Sequence, residues 1–275
     1  MTMSVNTNTG AMIALQNLNA TNRSLSEVQN RINTGMKVAS AKDDGAIFAI
    51  AQKMRRDVSS LGVVRESLDR VMSTNDVAIA AGEAISDLLV EMKEKALAAS
   101  DESIDSASRS ALNEDFTALR DQIATITQNA SFNNVNLVDG SVSNITALAS
   151  ANGSSTITVN SEDLTLSGST ITITASTQIS SQSGAASVVS AIDTSIENVN
   201  NSLARLGTAS KKLEVHDQFV SRLSDSLKSG IGNLVDADLA VESARLQSLQ
   251  TKQQLGTQAL SIANQAPQSI LSLFG

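Results

Sequence analysis

Residues 15–32 read LQNLNATNRSLSEVQNRI, and their spacing decides what kind of protein this is. Leu15, Leu18, Leu25, Val28 and Ile32 return at helical intervals on one narrow face, with Asn22 standing inside it. A stripe this thin is the seam of helices that pair or bundle; a helix lying on a globular core shows a broader apolar face. The far end of the chain mirrors it. Leu239, Leu246, Leu249, Leu260, Ala263, Ile270 and Phe274 make a second stripe, interrupted by Gln253 and Gly256. Ordering a residue costs about 1–2 kcal/mol of backbone entropy, and a lone helix with so little to bury is marginal in water. Each end therefore needs the other and needs neighbouring subunits as well. Free in the monomer, both are expected to be disordered and to fold on association.

Moving inward, both flanks of the middle also read as helix. Leu112, Phe116, Leu119, Ile123 and Ile126 alternate steps of four and three, as do Ile192, Ile196, Val199, Leu203 and Leu206. Ile47, Ile50, Met54, Leu61, Val64 and Leu68 share one face, and Ile85, Leu88, Leu89, Met92 and Ala96 share another. Between Arg120 and Arg205 there is no basic residue, and Ser and Thr fill close to half of residues 141–190, against two acids, Glu162 and Asp163. Here apolar and polar residues alternate, at Ile157 and Val159, Leu164 and Leu166, Ile171 and Ile173. Period-two runs separated by short polar turns predict strands. The expected fold is mainly α: an elongated antiparallel helical bundle or coiled coil, its N- and C-terminal helices paired, with a small β-rich insert in the middle. The expected domains are 1–43 with 231–275, a terminal coiled coil; 44–140 with 185–230, a helical domain; and 141–184, the insert.

Composition removes most chemistry. The 275 residues carry 20 Lys and Arg against 28 Asp and Glu, a net charge of −8, which argues against nucleic acid and anionic membranes as partners. No Cys is present, so disulfides, Cys-ligated metals and thiol catalysis are excluded. One His, His216, leaves no His-rich metal site and no nucleophile–base set. Trp and Tyr are absent and Phe occurs five times, too few bulky rings to line a substrate pocket. No phosphate-binding glycine loop and no nucleophile elbow is found. Asp43-Asp44-Gly45 and Asp236-Ala237-Asp238 could bind a cation, but each stands directly before an apolar-periodic stretch, where Asp caps helices. Capping is the stronger reading. No enzyme activity, catalytic residue, metal or cofactor is expected. No stretch of 18 apolar residues exists to insert in a membrane, and the N-terminus lacks the form of a signal peptide. The Ser/Thr-rich insert reads first as a solvated β surface and more sharply as an acceptor surface for O-linked sugar.

The terminal motifs are specific. Leu25-Ser26-Glu27-Val28-Gln29-Asn30-Arg31-Ile32-Asn33-Thr34-Gly35, then Val38-Ala39-Ser40-Ala41-Lys42-Asp43-Asp44-Gly45-Ala46, resembles bacterial flagellin. So do Asp236-Ala237-Asp238-Leu239-Ala240-Val241-Glu242 and Ala263-Asn264-Gln265-Ala266-Pro267-Gln268. Phe132-Asn133-Asn134-Val135 resembles the family's Phe-Asn-Gly element, with Asn134 in place of the usual Gly. The match covers about residues 4–140 and 185–275 and is similar in style to the short flagellins of alphaproteobacteria.

The resemblance implies a subunit of the extracellular flagellar filament, the helical propeller of swimming. It implies type III export without a cleaved signal peptide and polymerisation under a filament cap. Other flagellin subunits, hook-associated junction proteins and an export chaperone would be its partners. By position, Leu15, Leu18, Leu25 and Ile32 with Leu246, Leu249, Leu260 and Ile270 would line the inner-tube coiled coil. Arg31, Gly35 and Asp43 would fall in the connector to the outer-tube helices, and the insert would face solvent. The helix Ile85–Ala99 corresponds to the surface that the flagellin-sensing Toll-like receptor recognises, and Glu91 stands where receptor-contacting relatives carry Arg. A charge reversal there implies weak activation. The alternative implied by the same motifs is a flagellin-like hook–filament junction protein.

Overall fold

A computed structural model describes residues 7–271, with side chains from 7 to 265, so the side chain of Ile270 and all of Phe274 lie outside the described residues. The element order is α1 (Thr9–Thr34), α2 (Gly45–Ala99), α3 (Ser106–Asn129), β1 (Ser131–Phe132), β2 (Val135–Asn136), β3 (Asn144–Leu148), β4 (Thr156–Asn160), α4 (Gln182–Val235) and α5 (Leu239–Leu271). No described helix is long and apolar enough to cross a membrane.

Short polar side chains start these helices by accepting from N–H groups that have no helical carbonyl. Asn8 Oδ1 accepts from Ala11 N at 3.0 Å. Asp44 Oδ1 accepts from Ala46 N and Ile47 N, both at 3.0 Å. Asp105 does the same for α3 and Asp238 for α5. Both acidic clusters therefore serve helix starts, and among the described residues no group of acids and His could hold a metal ion. After α3 the β1–β2 hairpin turns through Asn133 and Asn134, at φ 48° and 65°. Two successive left-handed residues make a primed turn, and Asn reaches that region at lower cost than other side chains. Asn134 thus does the work that Gly would do.

Contacts divide the chain into two compact units, Met1–Arg56 with Ser226–Gly275, and Asp57–Asp225. The boundaries fall inside α2 and α4, and the insert belongs to the second unit.

In the first unit α1 and α5 pair antiparallel: Asn8 meets Ala263 near one end and Arg31 meets Glu242 near the other. Beside them Val38, Ala51 and Val235 form a small core, packed round by Met36, Ile47, Phe48, Ile231 and Leu234. Ile50, expected on the same face as Ile47, is exposed.

In the second unit α2 and α4 also run antiparallel, since Arg65 pairs with Asp217, Asn75 with Leu206 and Lys93 with Asp193. Their seam buries Leu61, Val64, Leu68, Ile85, Leu89 and Met92 from α2 against Ile192, Val199, Leu206, Leu213 and Val220 from α4. Phe116 and Ile123 add α3. The insert is a lid on this core. β3 and β4 pair antiparallel with Ala147 opposite Ile157, both buried. In the runs at 164–166 and 171–173, Leu164, Ile171 and Ile173 are buried and Leu166 is half-buried, but the runs are not strands; one bridge joins them, Leu166 to Ile171. Other partners satisfy their backbone: Leu164 N donates to the Val138 carbonyl, while on α4 Ser195 Oγ accepts from Thr172 N and Asn198 Nδ2 donates to the Thr170 carbonyl. His216 Nε2 lies 2.8 Å from the Ala149 carbonyl and ties α4 to the β3 end of the insert.

Candidate assembly surface

The feature that composition left open is what the paired ends can do. On α5 the residues facing α1 are Glu242, Leu246, Leu249, Gln253, Gly256, Leu260 and Ala263, all buried or half-buried. They alternate steps of four and three, an unbroken heptad seam. On α1 the corresponding row is Ala11, Ala14, Leu18, Asn22, Leu25, Val28 and Ile32, of which Val28 alone is fully buried. Leu18, Leu25, Ile32, Leu246, Leu249 and Leu260 thus come together. Leu15 does not: it is 48% exposed, because the small Ala14 takes the seam position beside Leu18. The expectation that Leu15 belongs to the α1–α5 seam is corrected to an outward position.

Three polar layers punctuate the seam. Asn8 Nδ2 donates to the Ala263 carbonyl at 2.7 Å, so one side chain both caps α1 and ties it to α5. Gln253 Nε2 donates to Asn22 Oδ1 at 2.8 Å. Paired amides inside an apolar seam cost stability but fix register, since any slip leaves both unpartnered. Next to them a Cβ on Gly256 would stand 3.2 Å from Leu18 Cδ1, so the missing side chain leaves room for the tip of Leu18.

The third layer is charged. Glu242 is 6% exposed. Its Oε1 accepts from Arg31 Nη1 at 3.2 Å and Arg245 Nη1 at 3.5 Å, and Arg31 also pairs with Glu27 at 2.5 Å. A buried carboxylate is tolerated only when cations and donors compensate its lost hydration. Glu242 Oε2 is buried with no hydrogen-bond partner among the described residues. Sequence reading placed Arg31 in the connector but missed Glu242, whose partner lies 211 residues away and leaves no local signal.

The connector follows directly. Gly35 ends α1 at φ 69°, a conformation that other residues adopt only at a cost. Its carbonyl accepts from Ala237 N at 2.9 Å, Met36 bridges Asp236, and Lys37 N and Val38 N both donate to the Val235 carbonyl. Asp43 then closes the loop, its Oδ2 accepting from Ala39 N, Ser40 N and Ser40 Oγ at 2.8–3.1 Å. The Ser40 backbone N–H, then its hydroxyl, hold the Asp43 carboxyl below its ordinary 3.8. The two chain segments that leave α1 and enter α5 are therefore laced to each other.

Outside the seam the same helices also carry exposed apolar side chains. Met12, Ile13 and Leu15 on α1, and Leu239, Val241, Leu255 and Ile262 on α5, are each at least 48% exposed. Such residues are ordinary when scattered; two facing helices that carry them on their outer sides mark an interaction surface. In the other unit Glu91 is exposed on α2.

Comparison with known proteins gives this arrangement relatives. Residues 5–143 match the model of the bacterial flagellin N-terminal helical region, and residues 189–274 that of the bacterial flagellin C-terminal helical region. The chain is 56% identical to flagellin FljK of Caulobacter vibrioides over 271 residues, covering 98% of each chain. It is 33% identical to a flagellin of Brucella melitensis, covering 98% of this chain and 99% of that one. Among solved structures it resembles Bacillus cereus flagellin (TM-score 0.50, 21% identity, 56% of this chain and 88% of that one). It also resembles a putative flagellar hook-associated protein from Vibrio parahaemolyticus (TM-score 0.59, 15% identity, 70% of this chain and all of that one). At those identities the structural likeness speaks for the fold alone.

Proposed function

This chain belongs to the bacterial flagellin family, of the short alphaproteobacterial type, and is a structural subunit of the flagellar filament; from that premise we propose that the α1–α5 pair is its assembly core. The observation that supports this most is the mismatch between the two sides of that pair. Its seam is only half-buried and polar at three levels, while Met12, Ile13, Leu15, Leu255 and Ile262 stand exposed. Neighbouring copies that cover these outer faces supply the burial that one chain lacks. On this reading Leu18, Leu25, Ile32, Leu246, Leu249 and Leu260 hold the two helices of one subunit together. Leu15 turns to the next subunit. Arg31, Gly35 and Asp43 hold the connector that follows α1.

The finer roles follow the same division. The α2–α4 unit forms the outer tube and the insert faces solvent, where its Ser and Thr hydroxyls offer acceptors for O-linked sugar. The chain is exported without a cleaved signal. It meets the filament cap, the hook-associated junction proteins and a chaperone that binds the C-terminal helix. It performs structural work and no catalysis. Glu91 puts negative charge where a Toll-like receptor expects a cation. A cell reporter for that receptor should respond weakly to this protein, and more strongly to Glu91→Arg.

Negative-stain electron microscopy of the full chain beside a piece spanning residues 44–230 tests the assembly core. Filaments from the full chain alone support it. Filaments from the shortened piece would sink it. None from either, even when seeded with filament fragments, would favour a junction-type subunit.

A further inference from the structure

The chain contains one Asn-Gly step, Asn152-Gly153, at the tip of the β3–β4 hairpin. Both residues are exposed. Gly153 N donates to the Ser150 carbonyl at 3.0 Å, closing a four-residue turn, and Gly153 sits at φ 70° with nothing within 4 Å of where a Cβ would be. Three donors converge on one oxygen. Asn152 Oδ1 accepts from Ser150 Oγ at 2.8 Å, Ser154 Oγ at 2.8 Å and Ser154 N at 3.2 Å.

We propose that Asn152 is a site of spontaneous covalent modification, in which the Gly153 backbone nitrogen closes on the Asn152 side-chain amide. The donors gathered on Oδ1 polarise the Cγ carbonyl and stabilise the oxyanion that forms when it is attacked, as donors aimed at a developing charge do in acyl transfer. The Gly153 nitrogen loses its proton to solvent hydroxide and bonds to Cγ. The Cγ–Nδ2 bond breaks and the amide leaves as ammonia, giving a five-membered succinimide. Water then opens either carbonyl, yielding aspartate or, with the chain rerouted through the side chain, isoaspartate. The net change is gain of water and loss of ammonia, with no oxidant or enzyme. Only glycine leaves the attacking nitrogen without a neighbouring side chain in the way. The hydrogen bond from Gly153 N to Ser150 must open first, and a loop tip is where such local opening is easiest.

The product adds one negative charge to a chain already at −8. The isoaspartate form also lengthens the backbone at the turn, next to the Ala149 carbonyl that His216 holds. A filament subunit that is not replaced would accumulate this mark with age.

The test is to hold the full-length protein at mildly alkaline pH and 37 °C, sampling over days by ion exchange and by mass spectrometry of peptides. The peptide containing Asn152 should gain the mass of an amide-to-acid change at least roughly tenfold faster than the average of the other Asn residues. Asn152→Asp keeps an oxygen acceptor for the three donors and so keeps the turn. It should remove the fast-forming acidic species, leaving only the slow conversion of the other Asn residues. Gly153→Ala should slow conversion of Asn152 about tenfold. If Asn152 stays unchanged while other Asn residues convert, or if Asn152→Asp develops the acidic species at the same rate, the proposal is wrong.

Discussion

Two antiparallel helix pairs in this molecule follow the same seven-residue rhythm and reach opposite ends. The α2–α4 seam is shut. Leu68, Ile85, Leu89, Ile192 and Val199 are completely buried, and α3 and the insert close over them. Each large aliphatic so enclosed contributes about 1.5–3 kcal/mol relative to an exposed one. The α1–α5 seam is open. Leu18, Leu25, Leu246 and Leu249 are only half-buried, amide and carboxylate layers interrupt them, and apolar side chains face outward on both helices. Rhythm alone says that helices pair; what lies on their other faces says whether one chain is enough. The first pair is a finished fold. The second is unfinished in one chain, and on the proposed reading it is half of an interface.

The sharpest way to break this contrast is to stop one helix of the open pair. Leu249→Pro removes a helical hydrogen bond and costs about 3 kcal/mol or more. Filament formation should fall to nothing by electron microscopy, and Leu25→Pro should do the same. The melting transition of the α2–α4 unit, followed by circular dichroism, should stay in place. Normal filaments from either variant would show that the open seam is not the assembly core. The converse change is Phe116→Ala, in the closed unit. Phe116 is completely buried, so its truncation should cost about 3–5 kcal/mol. Denaturant unfolding of the monomer should show the loss directly.

A smaller effect separates a register lock from a mere surface ion pair. Glu242→Gln keeps the shape but removes the charge that Arg31 and Arg245 share. Loss of a charged hydrogen bond at this depth should weaken the α1–α5 pair by about 1–3 kcal/mol, read as a higher critical concentration for assembly. Monomer unfolding of the α2–α4 unit should not move. If the critical concentration is unchanged, the third polar layer does not hold the seam.

How much of this was legible follows from where each signal sits. The α1 and α5 stripes, with Asn22, Gln253 and Gly256 inside them, were readable because a heptad is a local pattern. Asp44 and Asp238 were readable as caps for the same reason. Leu15 was misplaced because Leu and Ala can exchange seam positions without changing the rhythm. Glu242 went unseen because a Glu at a seam position looks like a solvated one until Arg31 is brought to it from the other end of the chain. In the insert, alternation correctly marked Ile157 and Val159 as strand. At Leu164 and Ile171 the same alternation marked burial only, because Val138 beside Leu164, and Ser195 and Asn198 of α4 beside Ile171, take the bonds that a partner strand would have made.

The finest comparison uses one substitution in both seams. A Cβ on Gly82 of α2 would stand 2.7 Å from Leu203 Cδ2 and 3.4 Å from Leu203 Cγ, with Leu164 Cδ1 at 3.6 Å behind it. Alanine gains about 1 kcal/mol of helix propensity over glycine, but overpacking a closed core costs about 1–3 kcal/mol. Gly82→Ala should therefore come out neutral to about 2 kcal/mol destabilised in monomer unfolding. On α5, a Cβ at Gly256 meets Leu18 alone, with Cδ1 at 3.2 Å and Cβ at 3.9 Å, in a half-buried seam. There the Leu18 side chain can swing aside, and the propensity gain dominates. Gly256→Ala should leave assembly unchanged or favour it by up to about 1 kcal/mol, seen as a lower critical concentration. Should Gly256→Ala instead block assembly, the two helices are packed in the filament as tightly as α2 and α4 are in the monomer, and the open seam closes when neighbours arrive.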